Sequence, residues 1–250
     1  MKTNSPPAPL AGGPSLAAAA LWDSSGGRRV PWLTQEQRAQ LAPIAPVVRF
    51  RKGETIYREG DPALFIFNII SGVVKSYKVL PDAGECIVGF LFPSDVIGLA
   101  EDGHYVNCTG TVTPVAGYRI PISVLKTRFL QDPALEFHVI CKLCHELREA
   151  QRHGLLLSMH RALSKVAKFL LMLESHQAAR GETTAKIYLP MSQSDIGDYA
   201  GMSSEAVSRS LRNLASQGVI SIRDRRCVKI MNRAQLERVA SERRTPVPAS

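Results

Sequence analysis

Glu205, Ser208 and Arg209 stand at i, i+3 and i+4 in the stretch MSSEAVSRSLRNLASQG. On a helix that spacing makes them neighbours on one face, while Ala206, Val207, Leu211 and Leu214 fall on other stripes. The chemistry open to such a trio is the reading of base edges. An arginine offers a planar fork to guanine O6 and N7, a glutamate accepts from a cytosine amino group, and a serine approaches a thymine methyl or a base edge. The competing reading is a plain surface ion pair between Glu205 and Arg209 at i,i+4, worth only a few tenths of a kcal/mol. The elements around the trio decide between them.

Ser192 or Ser194 can cap a short helix reaching to about Tyr199, Gly201 supplies a turn, and Ser203 can cap a second helix ending near Gly218. The segment VISIRDRRCVKIM then reads as a hairpin. Two short helices about a glycine turn, followed by a hairpin, make a winged helix-turn-helix. Glu205, Ser208 and Arg209 then occupy the first turns of the helix that enters a major groove. Arg212, Arg223, Arg225 and Arg226 are expected at phosphates, where they set affinity and register rather than sequence, with Ser192, Ser203 and Ser204 in support.

Charge agrees with a polyanionic partner. The 250-residue chain carries a formal charge of +9, and from Arg161 onward 15 Lys+Arg face 8 Asp+Glu, a surplus of +7. Five scattered cysteines without a secretory leader argue for a reducing cytosol. No stretch approaches about 18 continuous apolar residues, so no membrane partner is expected and the chain reads as cytoplasmic.

The supporting architecture divides into five parts. Residues 1–30, rich in Pro, Ala, Gly and Ser, are expected to form a flexible N-terminal arm. Residues 31–132 contain short apolar runs (VVRF, ETIY, LFIFNII, GVVKSYKVL, ECIVGFLF) divided by RKG, EGDP, SG and PDAG turns, the texture of a β-roll, a cupin-like double-stranded barrel. Residues 133–160 form a long helix in which Ile140, Leu143, Leu147, Ala150, Gly154 and Leu157 alternate by 3 and 4, a coiled-coil seam suited to a homodimer. Residues 161–235 are the winged helix-turn-helix and 236–250 a tail. The fold class is therefore α+β.

This order of parts, with KGETIYREGDPA in the barrel and MSQSDIGDYAGMSSEAVSRSL near the C-terminus, resembles the CRP/FNR superfamily of bacterial transcription factors over about Val47 to Asn232. The Glu205-x-x-Ser208-Arg209 pattern is similar to that of the FNR and FixK branches. The resemblance implies that Glu205, Ser208 and Arg209 read a TTGAT-N4-ATCAA-like inverted repeat, and that a dimer on double-stranded DNA contacts RNA polymerase as an activator linked to low-oxygen gene expression.

In cyclic-nucleotide members a Gly-Glu pair and a following Arg hold the ribose and phosphate. Here Asp95-Val96 replaces Gly-Glu and no arginine occurs from Asp95 to Pro114, so a buried phosphate lacks its guanidinium. The iron–sulfur cluster of FNR needs cysteines ahead of the barrel. This chain has none before Cys86, and Tyr118 falls where the distal ligand belongs. No cofactor or resident metal is expected, which favours an effector-independent, FixK-like regulator. The alternative is a CRP-like regulator gated by a small molecule, with Phe65, Phe67, Phe90 and Phe92 lining a pocket, or by redox.

Two thiol motifs qualify that expectation. Cys141 to His145 spells C-x-x-C-H, the c-type haem attachment sequence, but it straddles the seam at Leu143, and haem attachment normally needs export. On the same helix His138, Cys141 and His145 share a face at spacings compatible with a soft metal. Cys227 follows Arg225 and Arg226, whose charge favours a thiolate, which makes it a candidate redox switch beside the DNA, with packing in a wing strand as the plain alternative. No nucleophile–base pair, phosphate loop or carboxylate dyad occurs at a recognisable spacing, so the chain is not expected to be an enzyme.

Overall fold

The computed structural model describes residues 44–242, apart from 82–83, 101, 132, 180–185 and 225. The expected N-terminal arm lies outside the described residues. Eight strands build the barrel: β1 (Val47–Phe50), β2 (Thr55–Tyr57), β3 (Phe65–Ser71), β4 (Val74–Leu80), β5 (Gly84–Leu91), β6 (Val96–Ile97), β7 (Cys108–Thr111) and β8 (Val115–Pro121). They pair antiparallel in two four-stranded sheets, ordered β1-β8-β3-β6 and β2-β7-β4-β5. Side chains from both sheets meet in one core of Phe67, Ile69, Val74, Ile97 and Val115, edged by Phe50, Ile56, Tyr57 and Leu91.

The near-continuous apolar run in β3 has a physical reason. Phe67 and Ile69 face the barrel core, whereas Ile66, just before them and on the opposite side of the alternation, packs with Ile120 and Leu125 on the outer face. That outer face is covered by α1 (Ile122–Gln131), a helix within the span expected from the sequence to be barrel. A strand buried on both faces loses the clean apolar/polar alternation of a half-exposed one.

The outer side of the second sheet is covered differently. Val73, Tyr77, Ile87, Phe90 and Phe92 share a core with Phe169, Leu170 and Leu173 of α3 (Ala162–Ala179), and that core continues into the C-terminal helices. Barrel and C-terminal domain are thus joined through α3. Before it runs α2 (Pro133–Leu157), the expected long helix. Its seam positions Ile140, Leu143, Leu147, Ala150, Gly154 and Leu157 are all exposed, Leu147 by 62%, whereas Leu156 is buried against the domain core.

The C-terminal domain holds β9 (Ile187–Tyr188), α4 (Gln193–Ala200), α5 (Ser204–Ser216), β10 (Ile220–Asp224), β11 (Cys227–Ile230) and α6 (Arg233–Ser241). Two features depart from the sequence reading. The wing is a three-stranded sheet, β10-β11-β9, because Ile187 and Tyr188 pair with Val228 and Cys227. The boundary expected at 235/236 falls inside α6. Asn232 caps that helix by accepting the Gln235 N–H at 3.0 Å, and Leu236 and Val239, three residues apart, are buried in the core, so residues 236–241 belong to the folded domain rather than to a tail.

Candidate nucleic-acid interface

The two helices of the helix-turn-helix are set by caps that the sequence displays. Ser192 Oγ accepts the Asp195 N–H at 3.0 Å, and Asp195 Oδ2 accepts the Ser192 N–H at 2.9 Å, a reciprocal capping box at the start of α4. Gly201 closes α4 at φ 62°, in the left-handed region open to glycine. Ser203 then caps α5 by accepting the Ala206 N–H at 3.2 Å. Gly197 permits the close crossing of the helices, since a Cβ there would lie 2.5 Å from Met202 O.

Val207, Leu211 and Leu214 of α5 are buried in the shared core, so the opposite face is presented outward. Glu205 and Arg209 are exposed on that face and Ser208 is half-buried beside them. The Glu205 carboxyl is held below its usual range first by its own backbone N–H, then by the Ser203 and Ser204 hydroxyls, with Arg209 the smallest contributor. Its negative charge also suits the N-terminal end of a helix. Glu205 thus sits in the first turn of α5, directly after its Ser203 cap, with the exposed Arg209 one turn further on. Ser204 Oγ donates to Glu205 Oε1 at 3.3 Å, and Arg212 Nε reaches Ser208 O at 3.4 Å.

Arg212, Arg223 and Arg226 are exposed, the last two at the ends of the wing strands, where the Arg226 N–H donates to Asp224 Oδ1 at 2.7 Å. Arg225 lies outside the described residues. Lys229 in β11 and Lys186 just before β9 join the basic side of the same sheet. Neither is singled out by the sequence alone, although the alternation of Lys229 with buried Val228 is a usable signal. Cys227 is half-buried in β11 opposite Asp224 and Tyr188. The side chains of His138 and Cys141 lie outside the described residues, while Cys144 is exposed on α2.

Partners far off in sequence hold α4 at both ends. At its start Lys75 of β4 donates to Asp195 Oδ1 at 3.1 Å and also pairs with Glu85. Burial alone would lower the Lys75 ammonium, but these two bonds outweigh it and raise it. Burial would likewise raise Asp195, yet the bonds from Ser192 and Lys75 hold it below the usual carboxylate range. At the other end Lys165 Nζ of α3 donates to Ala200 O at 2.7 Å, and His153 Nε2 of α2 lies 2.7 Å from Tyr199 O.

The barrel residues considered as pocket-lining do not converge. Phe67 packs in the barrel core beside Phe50 and Tyr57, Phe65 lies under the Arg119 guanidinium at 3.9 Å, Phe90 meets Phe169 and Tyr199, and Phe92 stacks near His176. Tyr57 and Tyr105 stack at 3.8 Å, and the Tyr105 hydroxyl donates to Phe65 O at 2.7 Å. Burial pushes the Tyr57 phenol up to about 12. Asp95, where cyclic-nucleotide relatives carry Gly-Glu, is buried and accepts the Phe92 N–H at 2.8 Å. Among the described residues no group of three or more His, Cys, Asp or Glu side chains is arranged to hold a metal ion, and no helix is long and apolar enough to cross a membrane.

Known proteins share this arrangement. Residues 164–239 match the Crp-like helix-turn-helix domain and residues 47–122 the cyclic nucleotide-binding domain. The chain is 35% identical over 179 residues to the nitrogen fixation regulation protein FixK of Bradyrhizobium diazoefficiens, covering 70% of this chain and 74% of that one. It is 32% identical over 192 residues to the transcriptional activator protein anr of Pseudomonas aeruginosa, covering 76% and 79%. The structure of FixK2 from Bradyrhizobium japonicum superposes with a TM-score of 0.74 at 31% identity, over 80% of this chain and 98% of that one. A barrel of the cyclic nucleotide-binding type, joined through α3 to a Crp-like helix-turn-helix, makes this chain a member of the CRP/FNR family of DNA-binding transcription regulators, on its FixK-like side.

Proposed function

We propose that the protein is a dimeric, effector-independent activator of the FixK type that reads a TTGAT-N4-ATCAA-like inverted repeat through Glu205, Ser208 and Arg209. The observation that carries the reading is the outward face of α5, whose capped first turn holds Glu205, bonded by Ser204 Oγ, and on which Arg209 is exposed. Dimerisation is supported by the exposed seam along α2, which leaves Ile140, Leu143, Leu147 and Leu157 at 43–62% exposure in the single chain. Two chains joined there would set their recognition helices about one turn of DNA apart, the spacing an inverted repeat requires. Arg212, Arg223, Arg225 and Arg226 then take phosphates, and polymerase contact follows from the activator role of relatives such as the anr protein.

Independence from an effector is supported by the filling of the barrel with its own aromatic side chains and by the commitment of Asp95 to the Phe92 N–H. A link to low-oxygen gene expression is supported by the likeness to a nitrogen fixation regulation protein. The setting is the bacterial cytoplasm. The test is a titration of purified, reduced, ligand-free protein against a TTGAT-N4-ATCAA duplex and a scrambled control at fixed salt. Binding in the range of about 10–100 nM, with about a thousandfold preference over the control, is expected. Equal affinity for the two duplexes overturns the site assignment.

A further inference from the structure

We propose that His153 is a positioning residue for DNA reading: from the helix that carries the exposed apolar seam it holds the C-terminal end of α4, and so sets how the helix-turn-helix is presented to DNA. The proposal rests on the reading above, in which α2 joins two chains and α5 reads bases.

The last carbonyls of a helix have no partner within it and must be satisfied from outside. At the end of α4 three of them are satisfied from three directions. Gly197 O accepts the N–H of Gly201 and of Met202 at the turn itself. Ala200 O accepts from Lys165 Nζ of α3 at 2.7 Å, and Tyr199 O lies 2.7 Å from His153 Nε2 of α2. A carbonyl oxygen only accepts, so the proton of the imidazole sits on Nε2. The His153 ring also stacks on the Tyr199 ring, with centroids 4.1 Å apart and planes 10° from parallel. Both the position and the rotation of the imidazole about α4 are therefore fixed.

His153 directly precedes Gly154, a seam position, so on α2 the outward seam and the inward imidazole are one residue apart. From Tyr199 the chain needs only Ala200, Gly201 and Met202 to reach Ser203, whose hydroxyl caps the turn of α5 that carries Glu205. A shift or roll of α2 is thereby transmitted through His153 to the carbonyl end of α4 and on to the base-reading turn of α5. Lys165, the cationic donor at this end, comes from α3 within the same domain core, whereas His153 donates from α2.

Three substitutions separate this role from packing. His153→Gln keeps a donor without the ring, His153→Phe keeps a flat ring without the donor, and His153→Ala removes both. Each full-length variant is titrated against the TTGAT-N4-ATCAA duplex, with its mass in solution followed by sedimentation. His153→Gln is expected within about twofold of the original chain and His153→Phe weaker by about tenfold, the size of one lost hydrogen bond, with the dimer retained in both. His153→Phe binding as the original chain does, His153→Gln binding as weakly as His153→Ala, or loss of the dimer in His153→Phe overturns the proposal. If His153→Ala fails to fold, the Gln and Phe pair decides alone. If the original chain fails to discriminate the duplex from its scrambled control, it is the site assignment that falls. The same series is then run on a duplex recovered by selection from random DNA, where the order of Gln and Phe still supports or overturns the role of His153.

Discussion

In the barrel, Tyr57, Phe67 and Tyr105 stack on one another and the Tyr105 hydroxyl is spent on Phe65 O, whereas in the helix-turn-helix Glu205 and Arg209 lie in solvent. Both regions are dense inside and both are closed off by α3, yet one turns its polar chemistry inward and the other outward. In an architecture whose barrel is of the cyclic nucleotide-binding type, the contrast sets an exposed charged face in the C-terminal domain against a barrel filled by its own aromatic side chains, which also supports that domain. The support is specific: Lys75 of β4 reaches Asp195 at the start of α4, so the barrel braces the DNA-reading unit.

The largest effect is expected where the two regions share a core. Phe169, 1% exposed, packs against both Phe90 of the barrel and Tyr199 of α4. Phe169→Ala should cost about 3–5 kcal/mol in denaturant unfolding, with barrel and C-terminal signals lost together. Two separate transitions would break the idea of a joint core. Next comes Arg209→Ala, expected to weaken binding to the chosen duplex by about 1–3 kcal/mol and to relax the preference at its guanine, measured against base-substituted duplexes. Tyr57→Phe, its counterpart in the barrel, should leave that binding unchanged, and a comparable loss there would erase the contrast between the regions. Ser203→Ala removes the cap of α5 and should cost about 1 kcal/mol in thermal unfolding, with a loss of affinity as the first turn that carries Glu205 loosens.

The smallest effect is a dependence on pH. Burial lowers the His153 imidazole below its usual value, the bond to Tyr199 O opposes that, and Lys165 adds to it. The charged groups facing this corner are Lys165 from α3 and Glu149 from α2, beside the buried Tyr199 phenol. The folded chain therefore binds the proton less readily than the unfolded one. The contribution of neutral His153 is fully present above about pH 6.5 and is lost as pH falls from there towards the lower folded value. Thermal unfolding and DNA titration from neutral to mildly acid pH should show this step in the original chain and a smaller one in His153→Gln.

Local signals made the framing of α4 and α5 legible in the sequence. Ser192, Gly201 and Ser203 each act over a span of at most four residues, and the caps they form are those the sequence announced. The apolar spacing of Val207, Leu211 and Leu214 likewise fixed which side of α5 turns inward. Contacts across long separations were not legible. Lys75 and Asp195 are 120 positions apart, and His153 and Tyr199 are 46 apart. No periodicity connects such pairs, because their meeting depends on how α2 and α3 fold back over the second sheet. Two short elements were missed for a related reason. Ile187–Tyr188 is too brief to show alternation and is defined by its pairing with β11, while α6 has only Leu236 and Val239 to mark its buried side.

The missing side chain at Gly197 bears on how such a regulator diverges. With Met202 O 2.5 Å from where a Cβ would stand, any larger residue there must push the two helices apart, so their crossing angle is closed to gradual adjustment at that position. On the proposed reading, a descendant that comes to control different promoters would do so by exchanging residues on the face of α5, at Glu205, Ser208 and Arg209, while the frame that presents them stays as it is.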